Sequence, residues 1–482
     1  MTKIINVDGT NLRIEKIEKS IELSVDQTNA LNSIKEWLYR EIKCPDDCFY
    51  RLTGSAGTGK TTLLSKLVKD LEGIYRFKTC VSAPTHKAKK VITAKTKCPN
   101  AETVQALLGL KPDLDLENFD INNPVFSPVN NKKLASYKLI LIDESSMINN
   151  DLYATIKSDA IKFGVKLLFI GDLLQLPPVK ESYSKALVEP INGYDLTEII
   201  RQQNTNPLLE ILNILREDIL NSTHNYIDFL KLNPLNMTDK EGYKVLGGAE
   251  FGQELISAFK SLEYQQDRNY VRYISWTNQA IQTANSYIRK NIYANTTNPI
   301  TEGELLLGYK TVTDDENFPL IVNSEDYIVD KYSVDTDHNG IKVIYATVKY
   351  LDVEGDKGHT LKILYPDNEN YLTYLSEREP LLETAKSKKG KYWRFYFEFR
   401  NRFALLESIM GNPPYAGAKP TLIDSKDISY GYGITIHKSQ GSTYDTVFVN
   451  MKDINNNPDA IERKKLLYVA LSRASNKVYI NL

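Results

Sequence analysis

The segment GSAGTGKT, Gly54 to Thr61, constrains this 482-residue chain more than any other feature. It follows the apolar run FYRL (Phe49 to Leu52) and precedes a stretch of helical spacing, so it reads as strand, glycine-rich loop and a helix starting near Lys60. In such a loop Gly54, Ser55, Ala56, Gly57, Thr58 and Gly59 wrap the backbone closely, and N–H groups converge with the helix N-terminus on phosphate oxygens. Lys60 then offers a point charge to β- and γ-phosphates, and Thr61 a hydroxyl to Mg²⁺. A loop of this kind demands an α/β framework. The runs FKTCVSA, KLILID and KLLFIG supply it, because short apolar runs bounded by turn signals read as parallel strands buried on both faces.

Upstream, Asp26 to Ile42 has helical spacing, with Ala30, Ile34, Trp37, Leu38 and Ile42 on one face. The first unit is expected to end near residue 202. A second α/β alternation begins at YISWT (Tyr273 to Thr277), runs through NQAIQTANSYIRKNI and resumes at DTVFVN (Asp445 to Asn450). Between these pieces, YIVDKYSVDTDHNGIKVIYATVKYLDVEG alternates with period two around Asn339-Gly340, the pattern of a small antiparallel module. The expected division is 1–202, then 203–305 with 420–482, and an insertion over 306–419.

Lys plus Arg number 60 against 61 Asp plus Glu, so no global positive field can hold a polyanion and nucleic-acid contact has to be local. The 42% apolar content excludes a largely disordered chain. No apolar run is long enough to cross a bilayer and the opening residues lack a signal-peptide core, so a cytoplasmic protein is expected. Cys44, Cys48, Cys80 and Cys98 lack metal-site spacing and read as reduced thiols.

LILIDESS places Asp143 and Glu144 at the end of a buried strand, where open α/β sheets bind ligands. Acidic pairs there also serve as helix caps. Downstream of a phosphate loop, Asp143 can hold Mg²⁺ and Glu144 can orient and deprotonate an attacking water. GDLLQLPPV follows another strand, so either Asp172 and Gln175 emerge on the same edge, where Gln175 can hydrogen-bond a γ-phosphate, or Asp172 opens a turn and Gln175 is solvated.

Ten blocks in order, VDQTNAL, GSAGTGKT, APTHKAKK, ETVQALLG, LIDESS, GDLLQLPPV, LTEIIRQ, SWTNQAIQTANSYIR, ITIHKSQGSTYD and LLYVALSRA, resemble superfamily 1 helicases of the Dda and RecD-like branch that moves 5′ to 3′. The resemblance implies two RecA-like domains with ATP and Mg²⁺ between them, a short β-pin near 111–135 and an SH3-like module in the second domain. It assigns Gln27 to the adenine, Gln440 and Gly441 to the nucleotide, and Arg201 and Arg473 to the γ-phosphate. It assigns Pro84, Thr85, His86, Lys87, Thr103, Thr435, His437 and Lys438 to DNA. Lys87, Lys89, Lys90, Lys95 and Lys97 add a basic run, which alone also describes a solvated helix face.

In Lys111 to Val129, Asn122-Asn123-Pro124 supplies a turn, and Phe119 and Phe126 are the aromatics: either one stacks on a base at the fork, or both pack the pin onto its own domain. Lys386 to Phe403 mixes cations and aromatics and is either a projecting element near DNA or a packed one. The implied activity is ATP-driven unwinding by a monomer on single-stranded and forked DNA, in a bacterial or phage-infected cell. A single-strand-binding protein or replication, recombination or repair factors are the expected protein partners. The competing reading is an ATP-driven translocase that displaces bound proteins without separating strands. A metabolic P-loop kinase gives no reason for HKSQG and Arg473.

Overall fold

The computed structural model describes residues 2–7, 11–16, 22–72, 78–112, 126–128, 132–178, 180–198, 206–293, 297–313, 319–353, 355–411 and 420–482. A six-stranded parallel sheet carries the first half in the order Gly193–Leu196, Phe49–Gly54, Lys166–Gly171, Leu139–Ile142, Thr79–Ala83, Ala101–Thr103. Period-two alternation within continuous apolar runs explains its two cores. Leu139, Leu141, Leu168 and Ile170 point to one face, beneath Ile34 and Trp37 of helix Val25–Tyr39 and Leu63, Leu64 and Leu67 of helix Lys60–Glu72. Ile140, Ile142, Leu167 and Phe169 point to the other, beneath Tyr153, Ile156 and Ala160 of helix Asn150–Phe163. Each fully buried side chain of this kind stabilises the fold by about 1.5–3 kcal/mol.

The first helix starts on a capping box between Ser24 and Gln27 and stops at Tyr39, earlier than its periodicity suggests. The buried Lys166 Nζ stops it by donating to the carbonyls of Trp37, Leu38 and Arg40 at 2.6, 3.0 and 2.6 Å. A cation on terminal carbonyls satisfies acceptors that a continuing helix would use itself. Ile42, expected on the buried face, is therefore exposed.

The second sheet runs Leu235–Met237, Gly242–Leu246, Ala474–Asn481, Tyr444–Asn450, Val271–Ser275, Gly433–Thr435, and is parallel except for its first pair. Val447 and Val449 face the core shared with helices Leu208–Leu220 and Ala460–Leu471. Phe448 faces the opposite core, shared with Gly248–Lys260 and Asn278–Ile292.

A third sheet is wholly antiparallel, in the order His359–Leu364, Lys342–Tyr350, Asp326–Thr336, Leu305–Gly308, Ile428–Tyr430. Its last strand lies beyond residue 419, so the inserted sheet reaches Tyr430 before the chain re-enters the second α/β sheet at Gly433. Asp337 Oδ1 accepts from the N–H groups of Asn339 and Ile341, which shapes the turn around Gly340. Helices Asn368–Lys388 and Tyr392–Arg400 pack on this module, with Tyr374 stacked on Phe399 at 5.5 Å and Trp393, Tyr396 and Phe403 buried. The aromatics of Lys386 to Phe403 are thus mainly packing residues.

Leu110–Pro112 pairs antiparallel with Phe126–Pro128, forming the base of a pin. Phe119 lies outside the described residues, and Phe126 is described only as the start of the second pin strand. The opening residues form an antiparallel pair, Thr2–Val7 with Asn11–Lys16. Among the described residues no helix is long and apolar enough to cross a membrane.

Candidate nucleotide cleft and nucleic-acid edge

Gly57 and Gly59 adopt φ of 95° and 74°, a region that L side chains rarely enter, and this lets the loop curl tightly before the helix at Lys60. Thr58 Oγ1 donates to Ser55 O at 3.0 Å, and Lys60 Nζ donates to Gly54 O and Ser55 O at 2.6 and 3.1 Å. Gln27 braces the loop from behind. Its Nε2 donates to Thr58 O and Gly59 O at 3.3 and 3.1 Å, while its Oε1 accepts from Ser24 N–H at 3.0 Å. Gln27 thus lines the cleft with its amide held against the loop.

Asp143 and Glu144 leave the strand Leu139–Ile142 on the same edge. Glu144 sits in the left-handed region at φ 51°, strained by about 1–2 kcal/mol for a non-glycine residue, and its side chain caps no helix. Asp143 Oδ1 accepts from Glu144 N–H at 3.0 Å. Burial raises the pKa of both carboxyls; for Glu144 the neighbouring Asp143 raises it further, against Arg473 and Lys60. A glutamate held above its ordinary range retains affinity for a proton and suits a general base.

Across a cleft of about 570 Å³, Lys60, Thr61, Asp143, Glu144 and Gln175 face Gly441, Ser442, Ser472 and Arg473. Arg473 is buried, donating from Nε to Val469 O and from Nη1 to Ser442 O at 3.1 and 3.3 Å. Gln440 points elsewhere: its Nε2 donates to Leu176 O at 3.4 Å and joins the two halves. Only Gly441 of that pair lines the cleft. Arg201 lies outside the described residues.

Asp172 fulfils both roles open to it. Oδ1 accepts from Leu174 N–H at 2.9 Å within the turn, and Oδ2 accepts from Tyr468 Oη at 3.0 Å. The same Tyr468 oxygen accepts from Ala56 N–H at 3.0 Å, so one hydroxyl from the second half holds both the phosphate loop and the GDLLQ loop. Within LLYVALSRA nothing but its polar tip distinguishes Tyr468 from the core aromatics. Asp453 was equally hidden: its carboxylate accepts from Ser275 Oγ, Trp276 N–H, Thr277 N–H and Thr277 Oγ1, ordering the end of strand Val271–Ser275.

The donor set suits a nucleotide triphosphate with a hard divalent cation. Gly57 and Gly59, at positive φ, place no Cβ at those two turns of the loop, Lys60 supplies positive charge, and Thr61 and Asp143 supply oxygens. Among the described residues Ser55 Oγ and Gln175 Oε1 are buried without a hydrogen-bond partner.

Three threonines mark the second edge. Thr85, Thr103 and Thr435 each cap a short helix at the C-terminal end of a strand, accepting from Ala88, Ala106 and Lys438 N–H at 3.2, 3.2 and 3.4 Å. Ala83 pairs with Thr103, so the first two share one sheet edge with Pro84 and the exposed His86. His437 and Lys438 follow Thr435 and are half-buried. Lys87 departs from the expected path: its Nζ is buried against Asp326 Oδ2 at 2.6 Å and Tyr444 Oη at 3.4 Å. Its charge is paired inside the protein, whereas His86 beside it is exposed. Lys90 likewise pairs with Glu325 at 2.5 Å.

Comparison with known proteins agrees with this geometry. Residues 36–229 match the AAA domain family model, and residues 430–481 match the UvrD-like helicase C-terminal domain model. Uncharacterized protein R530 of Acanthamoeba polyphaga mimivirus is 27% identical over 89% of this chain and 94% of its own. The ATP-dependent DNA helicase dda of Enterobacteria phage T4 is 23% identical over 95% of this chain and 99% of its own. Pif1 helicase from Bacteroides, solved with ADP-AlF3 and ssDNA, superposes with a TM-score of 0.50 at 17% identity, covering 95% of this chain and 92% of that one. Fold and cleft together define a P-loop nucleotide-hydrolase architecture of two RecA-like domains. The two matched models and these relatives support a superfamily 1 helicase of the group that contains Dda, Pif1 and the RecD-like proteins.

Proposed function

We propose that this protein is an ATP- and Mg²⁺-dependent DNA helicase that translocates 5′ to 3′ on single strands and unwinds duplex at a fork. One observation carries the reading: Lys60, Asp143 and Glu144 on one sheet face Arg473 on another across a single cleft, while Thr85, Thr103 and Thr435 line strand ends of the same two sheets. The units correspond to residues 1–202, residues 203–304 with 431–482, and an inserted module over 305–430 that we read as SH3-like.

Thr61 and Asp143 would hold Mg²⁺, whose charge neutralises the phosphates when bound. The backbone N–H groups of Gly57 to Thr61 bind and orient the phosphates. Glu144 Oε accepts a proton from the attacking water, which its raised pKa favours. Arg473 delivers positive charge to the equatorial oxygens only when the second RecA-like domain is closed, linking hydrolysis to motion. The antiparallel pin base at Leu110–Pro112 favours strand separation over translocation alone. The test is unwinding of forked duplexes with either a 5′ or a 3′ tail, with ATP and Mg²⁺. Unwinding confined to the 3′-tailed substrate would reverse the polarity, and protein displacement without unwinding of either would favour the translocase reading.

A further inference from the structure

At the junction of the inserted sheet and the second RecA-like domain, two lysines share one aromatic ring. Lys426 Nζ lies 3.9 Å from the Tyr309 ring centroid and Lys438 Nζ lies 4.8 Å from it. The two nitrogens are therefore no farther apart than those distances laid end to end. Among the described residues their polar partners are neutral: Asn323 Oδ1 accepts from Lys438 at 2.6 Å, and Ser429 Oγ from Lys426 at 3.4 Å. Among the described residues, no nearby carboxylate makes an ion pair with either lysine. Asp427 is bound to Arg400 at 2.9 Å, and burial raises the pKa of Glu407, the carboxyl facing Lys426.

Two like charges gathered at one ring, partly out of water and with no carboxylate in direct contact among the described residues, destabilise the protein that carries them. Burial lowers both lysines to about 8, and for Lys438 the charge of Lys426 contributes. The ring face offsets only part of this. Such an arrangement is stabilised by an anion that both ammonium groups can reach. Its position selects which anion: Lys438 sits on the turn capped by Thr435, one residue past His437, on the edge read above as the strand path.

We propose that Tyr309, Lys426 and Lys438 form a phosphate seat that grips one backbone phosphodiester of the translocating single strand. The site rests on the DNA-helicase reading and adds to it Lys426, which no motif contains, and Tyr309, whose ring holds both cations in place. Tyr309 Oη has no hydrogen-bond partner among the described residues, so the ring and not the hydroxyl does the holding.

The experiment titrates fluorescent oligothymidylate into wild type, Lys426→Met, Tyr309→Phe and Tyr309→Ala across a chloride series, alongside thermal unfolding without DNA. Lys426→Met should weaken binding about tenfold at low salt and flatten the log–log salt slope by about 0.7, the value for one phosphate contact on a single strand. Its melting temperature should equal or exceed that of wild type, because a repulsion is removed; a merely structural lysine would lower it. Tyr309→Phe should bind as wild type does, and Tyr309→Ala should resemble Lys426→Met. A parallel arm measures inorganic phosphate binding by calorimetry. Phosphate binding that is lost in Lys426→Met, with oligothymidylate affinity and slope unchanged, would identify a free-phosphate site and overturn the proposal. So would an unchanged slope with no phosphate binding at all. If wild type itself failed to bind oligothymidylate, the DNA reading would fall, an outcome separable from failure of the seat.

Discussion

Replacing Asp326 by asparagine should strongly destabilise this protein, because it leaves two buried cations without their shared carboxylate. Asp326 lies between two buried cations from different elements. Lys87 Nζ, on the first-domain helix His86–Thr96, lies 2.6 Å from Oδ2, and Arg272, on strand Val271–Ser275 of the second sheet, lies 3.4 Å from Oδ1. The Tyr444 ring takes both cations, at 5.3 and 4.7 Å. Asparagine keeps the shape and removes the charge, leaving Lys87 and Arg272 to repel each other where water cannot screen them. Breaking a buried pair from one side costs about 3–5 kcal/mol. Lys87→Met leaves a matched Arg272–Asp326 pair and should cost about 1–3 kcal/mol. The double variant should fall short of the sum by about 1–3 kcal/mol, since the two changes act on one network. Urea unfolding followed by tryptophan fluorescence measures all four. Burial raises the Asp326 pKa, but Arg272 and Lys87 outweigh it and the net shift is downward. This stability is therefore present above the unfolded-state carboxylate pKa of about 3.9 and is lost as pH falls through the lower folded value. Wild type and Asp326→Asn should converge only in strong acid. A neutral-pH difference below about 1 kcal/mol, or a larger loss for Lys87→Met than for Asp326→Asn, would refute the reasoning.

Glu144→Gln should bind nucleotide yet lose DNA-stimulated hydrolysis, and the wild-type rate should decline with falling pH at an apparent pKa well above the ordinary glutamate value of about 4.3, because the base must be ionised; a flat profile down to pH 5 would reassign the base. Arg473→Ala should leave nucleotide affinity nearly intact and cut turnover about 10³-fold, read by steady-state ATPase, whereas a few-fold loss would place the guanidinium away from the developing charge. Tyr468→Phe keeps the buried ring and removes the bridge between Ala56 and Asp172, so turnover should fall about tenfold with little change in folding; equal loss of thermal stability and rate would make the hydroxyl merely structural. Phe126→Ala should depress forked-duplex unwinding much more than DNA-stimulated ATPase, and a parallel loss of both would point to a general binding defect.

The α/β halves were legible because their strands are buried on both faces and so appear as unbroken apolar runs such as LILI and KLLFIG, while the phosphate loop is a local structure set by adjacent residues. The inserted sheet was legible in kind and not in extent. Its fifth strand, Ile428–Tyr430, is three residues long and pairs with Leu305–Gly308 across more than a hundred positions, a distance at which periodicity carries no signal. The same limit hid the polar links. Lys87 reads as one cation in a basic run, and only the tertiary pairing with Asp326 shows that it is buried. Gln27 reads as a polar residue at a helix start, and its contacts with Thr58 and Gly59 exist only once the helix lies against the loop.

Those long-range links bear on how a nucleotide cleft can answer to a strand on another edge. Gly441 has φ of 74°, and a Cβ built on it would lie 3.1 Å from Ala88 Cβ and 3.8 Å from Glu144 Cγ. Ala88 belongs to the helix His86–Thr96, which Thr85 caps and which sends Lys87 into the Asp326 network. One backbone position of the second domain therefore lies beside both the helix that begins at the edge read as strand-binding and the residue read as the hydrolytic base. Close packing leaves little free space between the helix and the Gly441 loop, so a large approach of one requires the other to shift. A strand that pulls Thr435 and Thr85 toward a common backbone would press Gly441 onto Ala88 and bring Arg473 toward Glu144, whereas withdrawal of the second domain would open both edges at once. Coupling between the two sites then needs no dedicated relay beyond this contact and the Tyr468 bridge.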